Sequence, residues 1–448
     1  MSVVNISNLL VQLNQKINST SDDKEILILV KALEKLKTGI VFTVPTFANL
    51  PDASENIGKL YFVENDGILY FSVVSNYNNL EYWVPVTNGL QISPLLTWGR
   101  GGVLGDGTTV SRRSPGTVAG DIANWCRVSG GSAHSAAIKT DGTLWTWGFN
   151  GQGRLGDGTT VSRNSPGTVA GGGTNWCLVS GGYCSASAIK TDGTLWTWGS
   201  NFCGQLGDGT TLDRSSPGTV AGGGTNWCQV SGYNNSVAIK TDGTIWTWGC
   251  NRCGGLGDGT TLNRSSPGTI WGNDTTWCRV SGGQFNVAAI KTDGTLWTWG
   301  YNNRGQLGNG TVTNGCSPGT IAGGGTNWCQ VSTRSLFMLG IKCDGTLWTW
   351  GFNCSGQLGD GTTVSKSSPG TVAGSGTTWC QVSGGTFHNI AIKTDGTLWT
   401  WGRNCYGALG DGTTISRCSP GTTAGGGTTW CWVSTNLNST AAIQRETL

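Results

Sequence analysis

One ten-residue phrase, Lys139-Thr140-Asp141-Gly142-Thr143-Leu144-Trp145-Thr146-Trp147-Gly148, returns along most of this 448-residue chain in full, nearly in full or in part. The Trp of its Trp-Gly pair falls at 98, 147, 198, 248, 299, 350 and 401, at intervals of 49, 51, 50, 51, 51 and 51 residues. A fixed period of this size marks units too small to bury their own apolar face, which must stack or close into a ring.

Within a unit, Ala136-Ala137-Ile138-Lys139 leads through Asp141-Gly142 into Leu144-Trp145-Thr146-Trp147. Asp-Gly between alternating apolar runs is a strong hairpin signal. Trp145 and Trp147, two apart, share one face of their strand. Gly167-Thr168-Val169-Ala170 and Trp176-Cys177-Leu178-Val179-Ser180 supply two further strands, and four strands in about fifty residues make a propeller blade. The first unit has Leu96-Thr97-Trp98-Gly99 but no preceding Ala-Ile-Lys strand, and the chain closes on Ala441-Ala442-Ile443-Gln444, which supplies it. The expected fold is therefore mainly β, a seven-bladed propeller closed by a split blade over residues 95–448. Strand pairing at the seam removes open edges.

Two other segments precede the ring. Residues 1–40 carry stripes of Val3, Ile6, Leu10, Leu13 and Ile17, then Ile26, Leu29, Leu33, Leu36 and Ile40, at helical spacing. Asp22 and Glu25 form a capping box for the second helix. So few heptads must pack on each other as a hairpin or on copies in other subunits. Residues 41–94 read as a small β module: after Val41-Phe42-Thr43-Val44 and two prolines, Lys59–Val63 and Ile68–Val73 form a hairpin with an Asp66-Gly67 turn, and Glu81–Val86 is a third strand.

Seventy-five Gly and only 12% charged residues suit tight turns and short strands, and 23 Trp demand burial. Residues 1–94 hold 6 Lys against 9 acids, and the remainder 22 Lys or Arg against 16, so neither part has a nucleic-acid footprint. No secretory leader or membrane-spanning run is visible, which gives a protein made in a cytosol with no membrane insertion. Of 16 Cys, seven (Cys126, Cys177, Cys228, Cys278, Cys329, Cys380, Cys431) follow a Trp at one repeat position, roughly a blade apart, and read as small buried hydrophobes. Cys250 and Cys253 are the nearest candidates for a pair. With two His in the chain, a metal site is not expected, and no cofactor or catalytic constellation presents itself.

The form Trp198-Gly199-Ser200-Asn201-Phe202-Cys203-Gly204-Gln205-Leu206-Gly207, at this period, resembles the regulator of chromosome condensation repeat family over about residues 95–448. The resemblance implies a seven-bladed propeller with a split blade. It does not imply one function, because the family includes an exchange factor for guanine nucleotides, a plant ultraviolet photoreceptor and a bacterial lactamase-inhibitor protein. The photoreceptor's Gly-Trp-Arg-His-Thr signature is absent here, so the repeated Trp read as packing between blades. Residues 41–94, with a Leu-Pro…Gly-x-Leu-Tyr…Leu-Tyr…Trp-Val pattern, resemble small β units of bacteriophage tail-fibre and virion appendage proteins.

Three candidate sets stand out. Asp157 with Arg163 and Asp208 with Arg214, six apart, represent a pairing repeated at Asp106, Asp258, Asp360 and Asp411. The unit with Asn309 has Gly315 in place of Arg, which points to structural ion pairs. A second set varies in every blade between Val-Ser and Ala-Ile-Lys, at Ser132-Ala133-His134, Tyr183, Tyr233-Asn234, Phe285-Asn286, Arg334 with Phe337, Phe387-His388, and Asn436 with Asn438. Aromatic and Asn residues displayed on loops suit protein or glycan recognition, with free loop drift as the alternative. The third set follows Trp-Gly and includes Arg100, Phe149, Phe202, Arg252, Tyr301, Arg304, Phe352, Arg403 and Tyr406.

The function expected is that of a non-enzymatic virion structural protein, a bacteriophage tail-fibre or appendage protein. Its amino terminus would attach to other virion proteins and self-associate, and its propeller would meet a host cell-surface glycan or protein. The alternatives are purely architectural decoration of the particle, or a cytoplasmic regulatory propeller acting as scaffold or exchange factor. Exchange calls for a wedge inserted from one blade, and the even intervals leave no room for one.

Overall fold

In each repeat the chain reverses where Gly142 adopts φ +77°, a left-handed conformation that a side chain resists. A Cβ there would also lie 2.0 Å from the Thr174 carbonyl oxygen. Asp141 Oδ1 fixes the turn by accepting the Thr143 N–H at 2.9 Å and its hydroxyl at 2.7 Å. His134–Lys139 and Leu144–Gly148 consequently pair antiparallel, with Ala137 opposite Trp145.

The computed structural model describes residues 42–44, 60–63, 68–74, 81–87 and 91–447, apart from 121–123, 273 and 375. The helical stripe at 1–40 lies outside the described residues. Phe42–Val44, Leu60–Val63, Ile68–Val74 and Glu81–Thr87 form a four-stranded sheet in that order. Its first pair is parallel and the others antiparallel. Gln91–Ile92 pairs with Glu446–Thr447. These strands belong to one compact unit, and Ser93–Arg445 forms the second.

That second unit is a propeller of seven four-stranded sheets. Blade one runs Trp125–Gly130, His134–Lys139, Leu144–Gly148 and Arg163–Thr168 from the ring centre outward. Blades two to six repeat it over 176–219, 227–269, 277–320, 328–371 and 379–422. Blade seven is split: Trp430–Thr435 and Ser439–Gln444 pair on Leu95–Gly99 and Arg112–Thr117. Inner strands of neighbouring blades are joined by Ser hydroxyls that accept a backbone N–H from the next blade, as Ser129 does from Gly181 at 3.0 Å and Ser434 from Gly130 at 2.9 Å.

The core is a set of wedges between blades. Ala136, Ile138, Leu144 and Val169 of blade one meet Trp176, Val179, Ala188 and Trp198 of blade two. At the seam, Leu95, Ala441 and Ile443 meet Trp125, Val128 and Trp147. Trp98, Trp147, Trp198, Trp248, Trp299, Trp350 and Trp401 are fully buried. Each donates its indole N–H to a carbonyl in the preceding blade's loop, for example Trp198 to Arg154 at 3.0 Å and Trp98 to Ala408 at 2.9 Å. Burial of each indole stabilises by about 2–3 kcal/mol. Gly156 lets this contact form, since a Cβ there would lie 2.7 Å from Trp198 Nε1.

The cysteines depart from expectation. Cys126, Cys228 and Cys380 are exposed, and Cys177, Cys278 and Cys431 half-buried. A bulge between Trp125 and Arg127 turns the thiol away from the wedge, and Cys126 Sγ donates to the Ile138 carbonyl at 3.4 Å. Cys329 instead pairs with Cys343, which stands where other blades have the Thr of the Thr-Asp-Gly turn. Cys250 pairs not with Cys253 but with Cys203 of the neighbouring blade's loop.

Candidate binding face

The two stretches that vary between blades are brought together. Phe149 N–H donates to the Ala133 carbonyl at 2.8 Å, Ser200 to Cys184 at 2.9 Å, Cys250 to Asn234 at 3.2 Å and Tyr301 to Phe285 at 2.9 Å. Phe352 to Leu336, Arg403 to Phe387 and Arg100 to Asn438 complete the series. All fourteen loops therefore emerge on one face, opposite the Thr-Asp-Gly turns.

A buried network shapes the outer part of this face. In blade one, Asn150 Nδ2 donates to Asp157 Oδ1 (3.1 Å), the Thr159 carbonyl (3.0 Å) and the Val161 carbonyl (3.2 Å), while its Oδ1 accepts from Leu155 N–H (2.8 Å). Asp157 Oδ2 lies 2.9 Å from Arg163 and Asp208 Oδ2 3.0 Å from Arg214. In blade four Asn302 keeps the arrangement with Asn309 as acceptor, and Gly315 leaves no cation to pair.

The expected recognition residues are mostly not on display. Ser132, His134, Tyr233, Asn234, Asn286, Phe337, His388 and Asn436 are buried, because the tight hairpin turns their side chains inward under the loops. Tyr183 is 42% exposed, and Ala133, Phe285, Arg334, Phe387 and Asn438 are half-buried. His388 Nε2 meets the Thr440 hydroxyl at 2.9 Å, a packing role.

Arg334 is the exception that organises the centre. Blades one, two, four and six have a glycine here; blade five projects a guanidinium across the ring. It donates to the Thr435 carbonyl of blade seven at 2.9 Å and the Gly131 carbonyl of blade one at 2.6 Å, and lies over the Tyr233 ring of blade three at 5.4 Å. Among the described residues no carboxylate pairs with it, and its Nε has no partner. The Tyr233 and Tyr183 rings are 5.2 Å apart.

Arg154 was not among the expected residues. Only 3% exposed, it stacks on Phe149 at 4.8 Å, donates to the Tyr183 carbonyl at 3.4 Å and bonds Gln152, and its Nε too is unpartnered. Its signal is a column: Arg154 stands where the other loops have Val103, Gln205, Gly255, Gln306, Gln357 and Ala408. Burial, with the charges of Arg154 and Arg334, pushes the His134 imidazole down to about 3, and its ring nitrogens have no partner. Burial, then Arg334, brings His388 down to about 4.

On the same face, between blades seven and one, lies a pocket of about 300 Å³ walled by Arg100, Val103, Ala133, Phe149, Leu437 and Asn438. It opens at the seam because the loop from Trp98 to Asp106 is two residues shorter than the one from Trp147 to Asp157. Among the described residues, no group of three or more His, Cys, Asp or Glu could hold a metal. No described helix is long and apolar enough to cross a membrane.

Fold and face define a seven-bladed propeller with a split closing blade, a uniform body and one variable face. The chain belongs to the RCC1-like domain family, whose model (WD40_RLD: RCC1-like domain) matches residues 94–442. It is 30% identical over 331 residues to the ultraviolet-B receptor UVR8 of Arabidopsis thaliana, covering 72% of this chain and 64% of that one. It is 27% identical to the E3 ubiquitin-protein ligase HERC2 of Homo sapiens, over 71% of this chain but 6% of that protein. The chain thus spans less than two thirds of these relatives. Its fold matches Prp20p of Saccharomyces cerevisiae with a TM-score of 0.71 at 18% identity, covering 80% of this chain and 92% of that one.

These relatives, proteins of plant, animal and yeast cells, overturn the bacteriophage tail-fibre expectation, and with it virion attachment, virion partners and host-surface recognition. Uniform blades are equally a property of a cellular propeller, so they do not distinguish the two.

Proposed function

We propose that this chain is a cellular regulatory propeller that holds a protein partner on its loop face as a scaffold, working by binding and not by catalysis. One observation carries the reading: the sequence varies between blades mainly in two loop sets, and both occupy one face while the body repeats. Variable loops on a rigid ring are the ordinary arrangement of a recognition surface. Prp20 has been solved bound to Kap60, and Prp20p is described with binding properties to Gsp1p and histones, so protein partners are attested in a relative. Between scaffold and exchange factor, the scaffold is favoured because no blade carries an inserted wedge.

The test is crosslinking in cells with two variants of equal melting temperature. Tyr183→Ala with Phe285→Ala alters the loop face, and Asp344→Asn alters the turn face. Loss of crosslinked partner in the first alone supports the reading. Loss in the second alone, or in neither, refutes it.

A further inference from the structure

Every inner strand of the ring carries a cysteine after its first Trp, and only in blade five does that cysteine have a disulfide partner. Cys343, at the hairpin turn of the same blade, closes the Cys329–Cys343 bond; the matching turn positions are Thr140, Thr191, Thr241, Thr292 and Thr394. The other disulfide among the described residues, Cys203–Cys250, joins cysteines that are 6% and 4% exposed. Cys329 and Cys343 are both exposed. Exchange requires that a thiolate reach one of the two sulfurs, so access separates the two bonds.

The exposed bond also has a distinctive setting. It lies in the wall of a pocket of about 390 Å³ on the turn face, with Arg279 of blade four, Lys342 and Asp344 of blade five and Cys380 of blade six. Arg279 is exposed, and the Lys342 ammonium stands 4.3 Å from the centroid of the Trp348 ring. Among the described residues neither cation forms an ion pair. Asp344 is committed to the turn, where its Oδ1 accepts the Thr346 N–H at 2.9 Å and the Thr346 hydroxyl at 2.6 Å. Partial burial, then the Asp395 charge, pushes the Cys380 thiol up, which leaves it protonated and slow to attack the disulfide beside it. An electrophilic sulfur pair therefore faces solvent beside two cations and one turn-bound carboxylate, with no activated thiol of its own.

We propose that Cys329–Cys343 is a redox-modification site, opened by a low-molecular-weight thiol that carries carboxylates and is drawn into the pocket by Arg279 and Lys342. In the first step the incoming thiolate sulfur bonds to one cysteine as the Cys329–Cys343 bond breaks. The other cysteine leaves with the electron pair and takes up a proton, so the product is a mixed disulfide and one free thiol. A second small thiolate attacks the small-molecule sulfur of the adduct, displaces the protein thiolate, which is protonated, and departs as the symmetrical disulfide. Two electrons pass from two small thiols to the protein. Cationic walls favour an anionic thiol over a neutral or cationic one. This chemistry lies on the face opposite the proposed partner site and does not depend on it.

The experiment uses the full chain, air-oxidised and then held anaerobically with reduced glutathione, quenched in acid and mapped by peptide mass spectrometry. Cys329–Cys343 should open about tenfold faster than Cys203–Cys250, or more, through an adduct of one glutathione on Cys329 or Cys343. Cysteamine, a cationic thiol, should open it about threefold more slowly at equal thiolate concentration. Arg279→Gln should slow glutathione about threefold, the size of one exposed charge, and leave cysteamine no slower. Cys380→Ser should keep the adduct; its disappearance would move the modification to Cys380 and overturn the proposal. Equal opening of the two disulfides would overturn it as well, as would cysteamine matching glutathione, an Arg279→Gln chain reacting like the original, or Cys329 and Cys343 remaining thiols after air oxidation.

Discussion

In six of the seven blades a single buried amide holds the long loop of the binding face in place. Asn150 makes its bonds to Asp157, Thr159, Val161 and Leu155 with no exposure to solvent. Asn150→Ala strands several buried backbone groups, and a loss of about 2–4 kcal/mol is expected in urea unfolding. The buried histidines make a different prediction. His134 is neutral in both folded and unfolded chain above its ordinary pKa of 6.5, so it costs nothing there. As pH falls below 6.5 the unfolded chain takes up a proton that the folded one refuses until about 3, and stability declines through that window. By pH 4.5 the decline is on the order of 3 kcal/mol, and His134→Gln should reduce the slope of unfolding midpoint against pH. His388, down to about 4, acts in the same direction. The variation at these residues was visible in the sequence, but their burial was not. Depth depends on how neighbouring blades close over the loop, which no local pattern records.

The blade itself is the element most completely written into the sequence. Asp141-Gly142 predicts the hairpin, and Trp145 and Trp147 lie on one face as their spacing requires, both edge-on to Trp125 at 6.3 Å. The outer strand runs over Arg163–Thr168 and not over the expected 167–170, so it includes Pro166. Pro166 is tolerated because this is the edge strand, where one side of the ladder has no partner. Packing and surface charge should separate cleanly in mutants. Trp198→Ala opens a wedge between blades one and two and should cost about 3–5 kcal/mol. Arg163→Ala removes a surface pair and should cost no more than about 1 kcal/mol by the same denaturation assay.

At the scale of the whole ring, closure is what the two ends of the repeat array accomplish. Ala442 pairs opposite Leu96 and Ile443 opposite Leu95, so the last blade exists only when both halves are present. Removing residues 428–448 should leave the Leu95–Gly99 edge open, broaden thermal unfolding and produce aggregates in light scattering. Closure could be inferred from the missing strand at one end and the surplus strand at the other. The bridging of blades five, seven, one and three by Arg334 could not, since the contact spans 101 residues to Thr435 and 203 to Gly131.

Seven near-equivalent blades confer a rotational degeneracy that most binding surfaces do not have. A partner reading only the shared features of such a ring could settle in any of seven azimuths, a statistical multiplicity of about 1 kcal/mol at room temperature. The two residues missing between Trp98 and Asp106 lift that degeneracy, since one sector differs in shape from its six siblings. A ligand that engages this sector meets one angular setting and one stoichiometry, so the deletion acts as an index mark on an otherwise uniform dial.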